Sequence, residues 1–255
     1  MRASERGRDA RRRDLAGFTL VELLVVISII CLLMSVMLPS LNRAQKQGEQ
    51  LHCLANQHQL SLAWLMYAGD SDDRLCSPGR HVRLLRPYTY ADAVFECKTA
   101  DDGRERNSPG NRSSYAIAST MGGSERDGVP AYEKLHAISG AADKLVFVDR
   151  ALSSDKAYWP IVRDDGAWIW RPFALIPGLQ GMTSRHGNGC NMTYADGHGE
   201  LTRWTDSRTI QLIKGAIADP VEASSDNPDL DHMVHILGGN RRDLRSQDEV
   251  GSIGD

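Results

Sequence analysis

The chain lacks the short motifs that most often mark an enzyme. Its 255 residues contain no G-x-S-x-G elbow, no phosphate-cradling glycine loop and no G-x-G-x-x-G fingerprint, which removes the usual signals for serine-elbow acyl transfer and for nucleotide chemistry. It also lacks an excess of positive charge. The net charge is −3, and basic residues cluster only at the N-terminus and around Arg241, Arg242 and Arg245, without interleaved aromatics. A nucleic-acid binder carries a concentrated basic face, so no nucleic acid is expected as a partner. Cysteine is sparse: five residues, none in a C-x-x-C element, a spacing that argues against zinc. There is no internal repeat.

What the chain does have is one long apolar run, Gly17 to Pro39. Among the 21 residues from Phe18 to Leu38 the non-apolar members are Thr19, Glu22, Ser28 and Ser35. At ~1.5 Å per residue such a helix is about 31 Å long, matching a hydrocarbon core of ~30 Å. Six arginines precede it (Arg2, Arg6, Arg8, Arg11, Arg12, Arg13) against Glu5, Asp9 and Asp14. That basic flank predicts a cytoplasmic N-terminus, with everything after Pro39 on the far side. A secretory signal fits less well, because its apolar core runs only ~7–15 residues and ends at a small-residue cleavage site. Glu22 is the unusual residue, since a carboxylate inside an apolar span costs roughly 2.5–3.5 kcal/mol or more and is read as functional.

The stretch G-F-T-L-V-E-L-L-V-V-I-S-I-I resembles the processing and assembly signature of type IV prepilins and type II secretion pseudopilins. The resemblance implies a prepilin peptidase that cuts after Gly17 and N-methylates Phe18, and a role for Glu22 in registering the incoming subunit against its neighbour. It further implies other pilin or pseudopilin subunits and an inner-membrane assembly platform as partners. The implied location is the bacterial inner membrane, single-pass, with the globular part periplasmic or extracellular. Independently of family, a new cationic amine on Phe18 and the carboxylate of Glu22 on a staggered neighbour would neutralise two charges that are costly in lipid.

Past Pro39, positions Leu41, Ala44, Gly48, Leu51, Ala55, His58, Leu62 and Leu65 step by three and four, predicting an amphipathic continuation of the helix to about Tyr67 with that stripe inward. Pro39 is expected to kink the helix rather than end it. Gly69–Arg74 reads as a solvated turn, since it lacks an EF-hand frame. Residues 92–97, 113–119, 144–149 and 167–173 read as strands, and 99–112 as a loop. Residues 190–195 and 199–204 read as a hairpin across the Asp196-Gly197 turn, and 209–218 as a short helix capped by Asp206 or Ser207.

The fold expected is therefore α+β: a long N-terminal helix, its first half transmembrane, packed on an antiparallel β-sheet, as the pilin resemblance also implies. The expected divisions are a leader at 1–17, a transmembrane and assembly helix at 18–38, a pilin-like globular domain at 39–220 and a polar tail at 221–255. With leader and span removed, roughly 215 residues remain, enough for one core.

Two candidate sites remain. Cys53, Cys76, Cys97 and Cys190 would lie where disulfides persist; four cysteines allow three pairings. A Cys76–Cys97 bridge, bracketing one loop, and free thiols are both open. His186 is followed after nine residues by Asp196-Gly197-His198, the H-x9-D-G element of a group of prepilin-like proteins that the segment Cys53–Leu75 also resembles. Either Asp196-Gly197 only shapes a turn, or His186, Asp196 and His198 bind a divalent ion such as calcium or zinc. The reading that follows is a structural subunit with no cofactor and no enzymatic activity, assembled into a pilus or secretion pseudopilus. Its rivals are a minor tip pilin acting as a binding module and a membrane-tethered metal enzyme using His186, Asp196 and His198.

Overall fold

The computed structural model describes residues 18–99, 113–123, 131–150, 158–162, 168–172, 183–214 and 224–238. The expected leader, Gly17 and the loop at 100–112 lie outside these residues. The chain divides into two compact units, Met1–Gln45 and Lys46–Asp255.

Thr19 and Glu22 open helix α1 (Leu20–Asp70). The Thr19 N–H and hydroxyl donate to Glu22 Oε2 at 2.9 and 2.6 Å, and the Glu22 N–H donates back to Thr19 Oγ1 at 3.3 Å. This is a reciprocal capping box, which satisfies backbone donors that a helix start leaves without partners. Farther along, the hydroxyls of Ser28, Ser35 and Ser40 donate to the carbonyls of Leu24, Leu32 and Met37 at 2.7, 2.7 and 2.8 Å. Each polar side chain thus finds its partner on its own helix, the condition for standing in hydrocarbon. Every large apolar side chain from Leu20 to Leu38 is exposed, and this is a helix long and apolar enough to cross a membrane. Pro39 lies inside α1 without ending it.

In the second unit the buried face of α1 is Cys53, Asn56, Gln57, Leu60, Ser61, Ala63, Trp64 and Ala68. The expected stripe is therefore corrected: Leu51 and Leu62 are exposed, as are Ala55 and His58. The reason is that the buried face carries polar groups that bond to the sheet and to the chain after the Asp92–Phe95 turn. The Ser61 hydroxyl lies 3.0 Å from Thr193 Oγ1, and Asn56 Nδ2 donates to Glu96 O at 3.1 Å. A search for apolar periodicity passes over such a face.

Beyond α1 come a short helix, α2 (His81–Leu85), and a 3-10 turn at Asp92–Phe95. That turn replaces the expected strand at 92–97, because Val94 and Phe95, adjacent in sequence, are both buried instead of alternating. The strands are β1 (Tyr115–Ile117), β2 (Leu145–Asp149), β3 (Tyr158–Val162), β4 (Trp168–Pro172), β5 (Gly189–Tyr194) and β6 (Gly199–Arg203). Four form one sheet in the order β1-β2-β5-β6, with every neighbouring pair antiparallel, while β3 and β4 form a separate antiparallel pair. Every residue of β1, β2 and β5 is buried. The later turns of α1 pack on this sheet, giving the α+β, pilin-like fold expected. Gly199 permits the approach: a Cβ there would lie 2.9 Å from Leu54 Cδ1 and 2.8 Å from Thr193 Cγ2.

Asp206 caps helix α3 (Ser207–Ile213), accepting from the Arg208 N–H at 2.8 Å. Helix α4 (Pro228–Ile236) lies in a stretch expected to be a polar tail. Asn227 caps it, accepting from the Asp229 and Leu230 N–H groups at 2.9 and 3.1 Å, and Leu230, Met233, Val234 and Ile236 enter the core.

Candidate metal centre

Three segments far apart in sequence meet beneath α1. Cys53 comes from the buried face of α1, and Cys97 follows the Asp92–Phe95 turn. His186 stands in the turn before β5, where Gly187 and Asn188 take positive φ of 66° and 63° and the His186 N–H donates to Gly189 O at 3.2 Å. One ligand atom from each of Cys53, Cys97 and His186 lies within 4.8 Å of the others, and all three residues are buried. Cys53 and Cys97 form a disulfide, with Cα atoms 5.5 Å apart and positions 44 apart in sequence. The expected Cys76–Cys97 bridge is therefore corrected. Proximity along the loop does not decide the pairing, because the turn at 92–95 carries Cys97 to α1. Cys76 and Cys190 are buried free thiols; burial pushes Cys76 up to about 12.

Beside His186 lies a buried carboxylate. Asp149, at the end of β2, accepts from Gln57 Nε2 of α1 at 2.9 Å through one oxygen and from the Asn191 N–H of β5 at 2.7 Å through the other. His186 Nε2 lies 3.3 Å from that second oxygen and 3.9 Å from Cys97 Sγ. Burial raises Asp149 to about 6, against the lowering pull of the Asn191 N–H, the Arg185 guanidinium and the Gln57 amide. Burial, with Arg185 adding to it, holds His186 down to about 4. Both shifts have the same physical source: a dry site favours the neutral form of each group.

The trio proposed from sequence, His186, Asp196 and His198, is not brought together. His186 precedes β5, whereas Asp196 and His198 sit in the turn beyond its far end, about 17–20 Å away at ~3.3 Å per strand residue. At that turn Asp196 Oδ1 accepts from the His198 N–H at 3.0 Å and lies 2.6 Å from His198 Nδ1, both side chains partly exposed. The His198 ring stacks on Tyr194 with centroids 4.4 Å apart, and Gly197 takes φ 91°. The Asp196-Gly197 pair here does the work of a turn. Sequence reading missed Cys53 as a member of the centre and Asp149 as the neighbour of His186; the available signal was the polar pair Asn56 and Gln57 in helical spacing with Cys53.

The cluster also corrects the expectation of a chain without enzymatic or cofactor chemistry. Once freed from their disulfide, the two sulfurs would converge with an imidazole in a buried site that has the capacity to hold a metal ion. The expectation rested on linear motifs, and donors contributed by three distant segments leave none.

Comparison with known proteins adds one finding at the N-terminus. Residues 12–38 match the family described as "Prokaryotic N-terminal methylation motif". No curated protein and no solved structure matches the chain. The chain thus carries a prepilin-type methylation motif at the head of a long apolar helix.

Proposed function

We propose that this chain is a processed, membrane-anchored pilin-like subunit whose globular unit is a binding module rather than bulk filament material. The prepilin peptidase and N-methyltransferase cuts after Gly17 and methylates Phe18. The segment Phe18–Leu38 then holds the subunit in the inner membrane, with the globular unit on the periplasmic side, and joins it to other pilin or pseudopilin subunits. Glu22 makes the assembly contact, exchanging its bonds to Thr19 for the terminal amine of a neighbour.

The observation that carries this reading is the methylation motif over residues 12–38, leading into a helix whose later turns pack on an antiparallel sheet. The binding-module half is supported by the buried His186 imidazole beside the Cys53–Cys97 pair, which gives the site three convergent metal-type donors when the disulfide is reduced. Glu22→Ala tests the assembly half. The variant should insert and be shortened normally yet be missing from sheared filament fractions, and wild-type amounts of it in those fractions would defeat the proposal.

A further inference from the structure

We propose that Cys53, Cys97 and His186 form a redox-gated zinc site, with Asp149 as an outer partner beside His186: closed as the disulfide, open to Zn²⁺ as the dithiol. The inference rests on the binding-module reading of the globular unit, and is independent of processing and filament assembly.

The argument starts from spacing. Zinc takes sulfur at ~2.3 Å and nitrogen or oxygen at ~2.0–2.2 Å in a tetrahedron, which separates a sulfur from a nitrogen by about 3.6 Å and a nitrogen from an oxygen by about 3.4 Å. His186 Nε2 stands 3.9 Å from Cys97 Sγ and 3.3 Å from Asp149 Oδ2. One imidazole nitrogen thus already stands close to a ligand-pair separation from a sulfur, and one donor atom from each of Cys53, Cys97 and His186 lies within 4.8 Å of the others. The two sulfurs are bonded to each other and must part to about 3.8 Å, the tetrahedral distance between two zinc-bound sulfurs. Breaking that bond is what opens the site.

The outer contacts are those of a metal centre. Gln57 Nε2 and the Asn191 N–H hold one Asp149 oxygen each, fixing the carboxylate beside His186; such partners orient a ligand and tune its affinity. Two thiolates and an imidazole select a borderline-soft ion such as zinc over calcium or magnesium, which take oxygen ligands.

The chemistry balances with one external reductant. A dithiol protein of the thioredoxin class attacks the disulfide, gives up two electrons and leaves as its own disulfide, while Cys53 and Cys97 each gain a hydrogen. Zinc then displaces the two thiol protons to solvent, and the imidazole carries its hydrogen on Nδ1 so that Nε2 can ligate.

The test uses the full chain in detergent micelles, treated with a phosphine reductant or left oxidised, then dialysed against zinc alone. The reduced chain should retain one zinc per chain and the oxidised chain none. Cobalt in place of zinc should give thiolate-to-cobalt charge-transfer absorption in the reduced chain. Asp149→Asn should weaken zinc at least ~10-fold. Because Cys53→Ser could unfold the chain, the deciding measurement uses the wild-type sequence. Zinc should protect Cys53 and Cys97 of the reduced chain from alkylation, read by peptide mass against the same reduced chain without zinc. Equal zinc in the oxidised chain, no zinc in the reduced chain, or protection confined to Cys76 or Cys190 would overturn the proposal. Uptake of a different transition metal at Cys53 and Cys97 would sink the zinc assignment while keeping the binding-module reading. Protection of neither cysteine by any metal would sink both.

Discussion

From Leu20 to Leu38 every large apolar side chain of α1 is exposed, whereas from Cys53 to Ala68 the buried face of the same helix includes Asn56, Gln57 and Ser61. The first stretch keeps its polar groups on its own backbone, with Thr19, Glu22 and the serines bonded within the helix. The second extends its polar groups outward, to Glu96, Asp149, Asn191 and Thr193. In hydrocarbon a polar side chain has no external partner, so it must be satisfied locally. Against a sheet, the edges of strands and their side chains supply partners, and buried polar contacts set register as well as stability.

The contrast can be broken at the junction of α1 with the sheet, and the largest effect is expected at the disulfide. Cys53→Ser removes a bridge that spans 44 residues and should cost about 2–5 kcal/mol in denaturant unfolding of the oxidised protein. An unchanged midpoint would mean that the bridge does not hold α1 to the globular unit. Gln57→Ala comes next. It leaves an Asp149 oxygen and the Asn191 carbonyl without their donor, and should cost about 1–3 kcal/mol.

A pH series reads the same dryness elsewhere. His81 is buried with Nδ1 2.6 Å from Pro78 O, and burial, with Arg150 adding to it, lowers its pKa below 6.5. A lowered folded pKa contributes stability that is present above pH 6.5 and lost as pH falls through the folded value. His81→Gln should therefore flatten the acid limb of the stability curve below pH 6.5, and an unaltered limb would contradict a buried neutral imidazole. The smallest effect is expected at Leu51→Ala. Leu51 belongs to the stripe that apolar spacing favours but is exposed, so the change should stay within about 0.5 kcal/mol.

Those two helix positions also show what was legible in the sequence. The apolar run was readable because composition alone decides whether a segment suits lipid. β1, β2, β4 and the β5–β6 hairpin were readable because β-rich runs are punctuated by turn residues, with Asp196-Gly197 supplying the positive φ. The inward face of α1 was not, because period counts only apolar residues and the true face is part amide and hydroxyl. Helix α4 was hidden for a related reason: Asp229 and Asp231 dilute the pattern of Leu230, Met233, Val234 and Ile236. The disulfide and the metal centre were hidden because their members, Cys53, Cys97 and His186, meet only through the topology. The H-x9-D-G spacing did mark His186, but its other end serves the turn.

The measurement that bears most directly on the account is the mass of the native N-terminal peptide, taken from membranes of cells that make the chain. The account predicts a peptide that begins at Phe18 with a methylated amine, and its replacement by the uncut form in Gly17→Ala. A mature chain that begins at Met1, or at a residue beyond Pro39, would contradict it.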